Sequence, residues 1–482
     1  MNRNMQVSNS DRGLTAPTAR PAVPRGLALI TAVGALAAAG PLGGCAVASS
    51  VPPAGSGTGA AASSGAHPGS GTGPASRPHP GSGTGPASAA GCVGGAAASS
   101  GGGASSDGTS SDGTGVAAAP LQAIQFVGQS HGWAAGAGRI LATSDGGRTW
   151  TRQYAGPAVL VQLDFTGTAD GWAVGQGTLL RTTNGGASWT ALSEPRLNGH
   201  CLSVSSAHFV SPVLGYAIAG GSGSGAGAGG SGGSGGSGAG GSAAASAGEA
   251  GGQLLRTTDG GTSWQPVRGA PAGAQAACFS TAQDGYLGVP GRIWRTTDAG
   301  ATWSPAFTEP PASAGQASAR TAGDTPELGC AAHGAAWVLF LGSGVAMMHA
   351  PYLAYATQDG TSWHGVLEEP MLEPVIRPRL HLPAGPGSEP GPFSVISPGA
   401  AAFVGYTPPA DGWGATPLVM ATDGGTLLTS EGDIPAINEP LAAAFLTPAH
   451  GWVVGENLKT RTFSIEATTD AGHTWTTQYT TG

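Results

Sequence analysis

Leu254-Leu-Arg-Thr-Thr-Asp-Gly-Gly-Thr-Ser-Trp264 decides the fold, because versions of it recur six more times with the register kept to the residue. Aligned on the last position, the copies end at Trp150, Trp189, Trp264, Trp303, Trp363, Leu428 and Trp475. Three places earlier each has a glycine: Gly147, Gly186, Gly261, Gly300, Gly360, Gly425 and Gly472. Six places before the end stands a hydroxyl: Ser144, Thr183, Thr258, Thr297, Thr357, Thr422 and Thr469. Between them lies Asp145, Asn184, Asp259, Asp298, Asp423 or Asp470, with Gln358 as the exception. A short side-chain acceptor followed by glycine, between two β-prone runs, is what a tight hairpin requires. The acceptor caps backbone N–H groups of the turn, and glycine supplies positive φ. The tryptophan then covers the apolar side of the hairpin.

A second signal precedes each hairpin, an aromatic residue seven places after another apolar one. The pairs are Phe126/Trp133, Phe165/Trp172, Phe209/Tyr216, Phe279/Tyr286 and Phe445/Trp452, with Cys330/Trp337 and Ile396/Phe403 in the two degenerate copies. Each repeat therefore reads as four short strands. Strand a holds the Phe, strand b the Gly-Trp stretch, strand c the Leu-Leu-Arg-Thr stretch, and strand d starts at the Trp. Four strands in about 40 residues is the period of a propeller blade. The expected fold is all-β, a seven-bladed β-propeller of four-stranded antiparallel blades over 120–482, preceded by a disordered linker.

On these residues the chain resembles known repeats. Thr-x-Asp-Gly-Gly-x-Ser/Thr-Trp is similar to the Asp-box of BNR repeats. Its pairing with Gly-Trp-x-Val-Gly resembles the photosystem II stability/assembly factor family, over Leu121 to Gly482. The resemblance implies a seven-bladed propeller outside the cytoplasm, commonly lipid-anchored, acting as a non-enzymatic assembly factor. Copies 5 and 6 depart from the pattern at Gln358 and Leu428.

Formal charge is −8, and removing Arg3, Arg12, Arg20, Arg25 and Asp11 with the first 44 residues leaves −11. Such a balance argues against a nucleic-acid partner. Those four arginines precede the apolar run Leu27 to Ala39, which reads as a secretory signal too short to span a bilayer comfortably. Leu42-Gly43-Gly44-Cys45 follows and is similar to a bacterial lipobox, with 1–44 as the signal peptide and Cys45 as the lipidated residue. A lipidated N-terminus binds the membrane through its acyl chains. Residues 45–119 are low in complexity and rich in Gly, Ser, Ala and Pro, a composition that cannot offset its ordering entropy. As a random coil this linker would set the propeller about 45–50 Å from its anchor. The Gly/Ser/Ala tract 220–252 reads as a second disordered insert.

Loop lengths separate two faces. The a–b and c–d turns are constant in length and share one face, whereas all variation falls in the b–c and d–a connections on the other. Extensions gather in repeats 5 to 7, and insertions on one face of a repeat fold are often its binding surface. The partner-binding residues expected there are Met347, Met348 and Tyr352 for apolar contact, Arg377, Arg379, Lys459 and Arg461 for charge, and the non-repeat aromatic Trp413. Aromatic and arginine side chains tend to dominate interface energy.

The chemical signal is thin, and the Asp-box acids recur around the ring as turn residues. A sialidase-like glycoside hydrolase is the second reading, since BNR repeats occur in such enzymes. It would need three arginines on one substrate carboxylate and a tyrosine nucleophile beside an acid. Here Arg181, Arg256 and Arg295 come one per repeat, and Arg377 sits in only a faint echo of the sialidase arginine motif. Glu368, Glu369, Glu373 and Asp411 could supply a carboxyl pair, but their spacing singles out none. No Cys-x-x-Cys or Cys/His spacing occurs, so zinc and redox motifs are unsupported and neither metal nor cofactor is expected. Cys330 reads as a small buried hydrophobe, a bridge between Cys201 and Cys278 on neighbouring repeats is open, and an unpaired Cys92 would be a reactive thiol. The expectation is a non-enzymatic protein-binding or assembly module, monomeric, lipid-anchored on the extracytoplasmic face of the membrane.

Overall fold

The computed structural model describes residues 120–175, 177–197, 200–221, 252–310, 324–342, 351–369, 380–407 and 414–481. The expected signal peptide with Cys45, the expected linker and most of the expected 220–252 insert lie outside the described residues. Gly220 and Gly221 close a strand, however, and Gly252 makes an isolated bridge to Ala274 just before the next strand, so the insert's two flanks are ordered backbone.

The described residues are strands joined by turns. The first sheet runs in order through β1 (Leu121–Val127), β2 (His131–Thr143), β3 (Thr151–Phe165), β4 (Gly171–Gly175), β5 (Thr178–Thr182) and β6 (Thr190–Leu192). The second holds β7 (Arg196–Leu197), β8 (His200–Phe209), β9 (Gly215–Gly221), β10 (Gln253–Thr257) and β11 (Gln265–Pro266). The third is β12 (Ala276–Phe279), β13 (Gly285–Val289), β14 (Arg292–Thr296) and β15 (Ser304–Thr308). The fourth is β16 (Thr325–Cys330), β17 (Ala336–Leu341), β18 (Tyr352–Thr357) and β19 (Trp363–Glu368). The fifth is β20 (Glu389–Ser397), β21 (Ala400–Tyr406), β22 (Pro417–Thr422) and β23 (Leu427–Asp433). The sixth is β24 (Glu439–Thr447), β25 (His450–Asn457), β26 (Thr462–Thr468) and β27 (Thr476–Thr481). Every pairing is antiparallel between chain neighbours, the up-and-down order of a propeller blade.

Six sheets, not seven separate blades, therefore make the ring, which corrects the expected count. The seven hairpins are all in place, but repeats 1 and 2 share one sheet. Residues 139–142 of β2 pair with the first part of β3, and Leu160 to Phe165 of the same β3 pair with β4. Strand d of repeat 1 thus continues into strand a of repeat 2 without a break. Strands b and c of repeat 1 likewise merge in β2, which bends at Gly138 with φ +72°.

What joins the repeats is a ladder of rings. In strand b the aromatic residue stacks on the strand a phenylalanine of the next repeat: Trp133 on Phe165 at 3.7 Å, Trp172 on Phe209 at 3.6 Å, Tyr216 on Phe279 at 3.5 Å. Trp452 stacks on Phe126 at 3.5 Å and so closes the ring between the last repeat and the first. In repeats 1 to 4 the hairpin tryptophan meets its own Phe edge-on, as Trp150 does Phe126 at 6.0 Å and Trp189 does Phe165 at 5.9 Å. Such pairs are worth about 0.5–1.5 kcal/mol beyond the area they bury. The Gly of the Gly-Trp motif follows from the same packing. Phe165 lies directly across from Gly171 in the ladder, and a Cβ on Gly171 would collide with its ring.

Candidate functional site

Each Asp-box turn is built from a buried threonine and an acid two residues on. In repeat 3 the Thr257 hydroxyl donates to Asp259 Oδ1 at 2.8 Å and accepts the Gly261 N–H at 2.9 Å. Asp259 Oδ1 also accepts the Ser263 N–H at 2.8 Å, and its Oδ2 the Ser263 hydroxyl at 2.6 Å. Thr143 with Asp145, Thr296 with Asp298 and Thr468 with Asp470 repeat the pattern, and Thr182 with Asn184 gives its uncharged version. The second glycine has φ near +90°, at Gly147, Gly261 and Gly472 among others, which no side chain tolerates well. The first admits alanine, as Ala299 and Ala471 do in the left-handed region.

Two details correct the sequence reading. The working hydroxyl lies seven residues before the tryptophan, at Thr143, Thr182, Thr257, Thr296 and Thr468, and is buried. Its neighbours Ser144, Thr183, Thr258, Thr297 and Thr469 are exposed. Repeat 5 is not the exception that Gln358 suggested, for its turn is one residue shorter and Asp359 supplies the carboxylate. The Thr357 hydroxyl donates to Asp359 at 3.1 Å, and the Thr361 and Ser362 N–H groups donate to it at 2.8 Å each. The Asp359-Gly360 pair was the available signal. Repeat 6 has Ala421 at the threonine place, and its turn closes through the Thr426 hydroxyl on the Asp423 carbonyl at 2.8 Å.

These acids are committed to the turns. The hydroxyl and N–H of Ser263 hold the Asp259 carboxyl below its usual range, those of Thr302 do so for Asp298 and those of Thr474 for Asp470. The N–H groups of Ser362 and Thr361 hold Asp359 lower still. Such carboxylates are ionised and have their lone pairs in use, which suits a structural post and not a proton donor.

The Asp-box also fastens repeat to repeat. Within a repeat its first turn N–H donates to the a–b turn, as Gly146 does to the Ser130 carbonyl at 2.9 Å and Gly185 to that of Ala169 at 2.8 Å. This puts the two turns on one face, as expected. The preceding repeat then reaches over: Trp133 Nε1 donates to the Gly185 carbonyl at 3.1 Å, Trp172 Nε1 to that of Gly260 at 3.0 Å, and His364 Nε2 lies 2.7 Å from that of Gly424. Gln478 Nε2 donates to the Gly146 carbonyl at 3.0 Å and its Oε1 accepts from Trp452 Nε1 at 3.0 Å, a clasp between repeats 7 and 1. Arg181 and Arg295 do not converge on a substrate. Arg181 lies 5.5 Å over Trp172 and 4.0 Å from Asp170, and Arg295 lies 5.7 Å over Tyr286 and 3.8 Å from Asp284.

On the opposite face the expected docking residues divide. Met347, Met348, Arg377, Arg379 and Trp413 lie outside the described residues, as do Glu373 and Asp411. Lys459 and Arg461 are exposed on the β25–β26 turn, where the Lys459 and Thr460 N–H groups donate to Asn457 Oδ1 at 3.1 and 3.2 Å. Arg461 adopts φ +59° and pairs with Glu456 at 3.2 Å. Tyr352 is corrected: it is 1% exposed, with its hydroxyl 2.9 Å from the Pro386 and Gly387 carbonyls, and belongs to the core. Glu368 and Glu369 are buried too, and Glu368 Oε2 accepts the Leu380 N–H at 3.0 Å.

The cysteines pair otherwise than expected. Cys330 is bonded to Cys278, with Cα atoms 5.6 Å apart, and Cys201 is disulfide-bonded as well. Cys330 therefore links the inner strands of repeats 4 and 5 and is no free core residue.

Fold and turns together define a β-propeller of BNR-type repeats resembling the photosystem II assembly factors. Residues 115–209 match the family described as Photosynthesis system II assembly factor YCF48. No curated protein matches the chain. Among solved structures it is similar to YCF48 bound to D1 peptide, at 16% identity and TM-score 0.42, over 70% of this chain and 90% of that one. It is also similar to the GH74 enzyme of Niastella koreensis (12%, TM-score 0.46, 74% of this chain and 54% of that one). A third is the GH74 xyloglucanase from Xanthomonas campestris (14%, TM-score 0.47, 75% and 55%). The chain thus spans about half the length of these two enzymes.

Proposed function

We propose that the protein is an exported, lipid-anchored propeller acting as a non-enzymatic protein-binding or assembly module at the membrane surface. The observation that carries this reading is the match of 115–209 to the YCF48 assembly-factor family, in a chain whose Asp-box acids are spent on turns. The disulfide between Cys278 and Cys330 supports an oxidising compartment, which is where a lipobox at Cys45 would deliver the chain. The partner is a protein at that surface, and it docks on the b–c and d–a face of repeats 5 to 7, with Lys459 and Arg461 as the described contacts. Crosslinking in the native membrane, followed by identification of what is captured, tests the reading. Capture should fall when Lys459 and Arg461 become Ala and persist when Arg148 and His473, on the Asp-box face, do. The reverse pattern would refute the docking face. Membrane association that survives Cys45→Ala would refute the lipid anchor.

A further inference from the structure

Strand c of repeat 4 differs from that of repeats 2 and 3 in several residues, one of them aromatic. Where repeats 2 and 3 carry Leu180 and Leu255, two residues before the buried threonine, repeat 4 carries Trp294. Its hairpin tryptophan, Trp303, is also more exposed than Trp150, Trp189 and Trp264, which are buried. Together these two indoles line a cleft of about 430 Å³ at the junction of repeats 3 and 4. Gly269, Pro271 and Ala272 of the β11–β12 connection line it too, with Val289 and Arg292 from the β13–β14 hairpin. That volume lies within the range of small-molecule sites.

The lining specifies chemistry. Trp303 Nε1 donates to the Gly300 carbonyl at 3.1 Å, which fixes its ring, while Trp294 Nε1 is buried and takes no part in the lining. Arg292 is exposed and makes no ion pair among the described residues, although the chain is acidic overall. The corresponding residue of repeat 2 is Thr178, so the hairpin needs no cation there. Gly269, Pro271 and Ala272 bring no competing charge and, in Pro271, no backbone N–H for a peptide. Both indoles are partly buried and packed against the core, so each presents only part of its ring to the cleft, while a guanidinium offers a fork that matches a carboxylate and the open side leaves hydroxyls in water.

We infer that this cleft binds an acidic saccharide, a pyranose stacked on indole with its uronate carboxylate on Arg292. The site stands apart from the Lys459 and Arg461 surface and goes beyond the protein-binding reading. If the chain is exported, its ligand class is a uronate-containing extracellular polysaccharide.

Isothermal titration of the full chain with trigalacturonate tests this, with neutral galactotriose and hexaglutamate as comparisons. Trp294→Leu and Arg292→Thr install residues that repeats 2 and 3 or repeat 2 already carry, and thermal melting verifies that both variants fold. Trigalacturonate should bind at least tenfold tighter than galactotriose. Trp294→Leu should abolish binding, and Arg292→Thr should erase the preference for the acid. The inference is overturned if trigalacturonate fails to bind, or if Trp294→Leu leaves its binding unchanged. It is also overturned if hexaglutamate binds as tightly and with the same sensitivity to Trp294→Leu, which would make the cleft an acidic-peptide site.

Discussion

Between repeats 2 and 3 the indole of Trp172 lies 3.6 Å above the ring of Phe209, whereas between repeats 4 and 5 the phenylalanine place holds Cys330, bonded to Cys278. Tyr286, the residue that would have stacked there, turns its hydroxyl to the Gly334 carbonyl at 2.7 Å and meets Trp363 edge-on at 5.9 Å. Burial pushes that hydroxyl up to about 12. Both junctions have a buried aromatic hydrogen bond and apolar packing, and they differ in the remaining link, a ring stack in one and a covalent bond in the other. A propeller seam needs some strong link near its inner strands, and the kind of link is open. The stack works in any solvent that keeps rings out of water, while the sulfur link depends on the redox state of the surroundings.

The two seams should therefore fail to different challenges. Trp172→Ala removes a fully buried indole together with its stack and its hydrogen bond to the Gly260 carbonyl, and should cost about 3–5 kcal/mol in urea unfolding. A loss under about 1 kcal/mol would show that the ring stack is not what holds that seam. Replacing Cys278 and Cys330 together by Ala should cost about 2–4 kcal/mol. A reducing agent should then leave the variant's stability unchanged wherever the Cys278–Cys330 bond alone was responsible. Equal sensitivity of parent and variant to reductant would place the weakness at Cys201 instead.

Smaller effects sharpen the contrast inside a repeat. Thr257→Val should lose about 1–2 kcal/mol, because it leaves the buried Gly261 N–H without its acceptor at 2.9 Å. Thr258→Val, one residue on and exposed, should be near neutral. If the two were equal, the assignment of the capping hydroxyl would be wrong. Glu327, on β16 beside the disulfide seam, gives an effect that appears only as pH rises. Burial raises its carboxyl from an ordinary value near 4.5 to about 7, so the folded state keeps a proton that the unfolded chain releases. Stability from this group is complete below about pH 4.5 and declines as pH rises to about 7. Glu327→Gln should remove that slope and stabilise the protein at pH 8 by about 1–2 kcal/mol, as read from melting curves across pH. The Asp-box acids carry the opposite sign. With folded values depressed, their contribution is present above about pH 4 and is lost as acid protonates them.

Much of the fold was legible in the sequence because it rests on short-range spacing. The Phe-to-Trp interval of seven encodes a ladder in which Phe165 faces Gly171 and Trp172 turns to the next repeat, and the constant turns encode the shared face. The fused sheet was not legible, since Ala155-Gly156-Pro157 reads as a break and β3 nevertheless runs through it. Nor was the capping hydroxyl, for each repeat offers two adjacent candidates, Thr257 and Thr258, and burial alone separates them. The disulfide joins residues 52 apart in sequence, and local spacing does not determine which inner strands face each other. Tyr352 was placed at the surface because its loop is long, yet a strand that starts at a long loop can still point inward.

The continuity of β3 sets how the molecule can come apart. A ring of separate blades can lose one unit while the others persist, as stacked repeats do when each touches only its neighbours. Here Thr151–Phe165 is one strand that belongs to two repeats, so neither can melt without stripping the other of an edge. Repeats 1 and 2 form a single cooperative block of six strands, where each other sheet has four or five, and their amide protons should exchange with one common opening free energy.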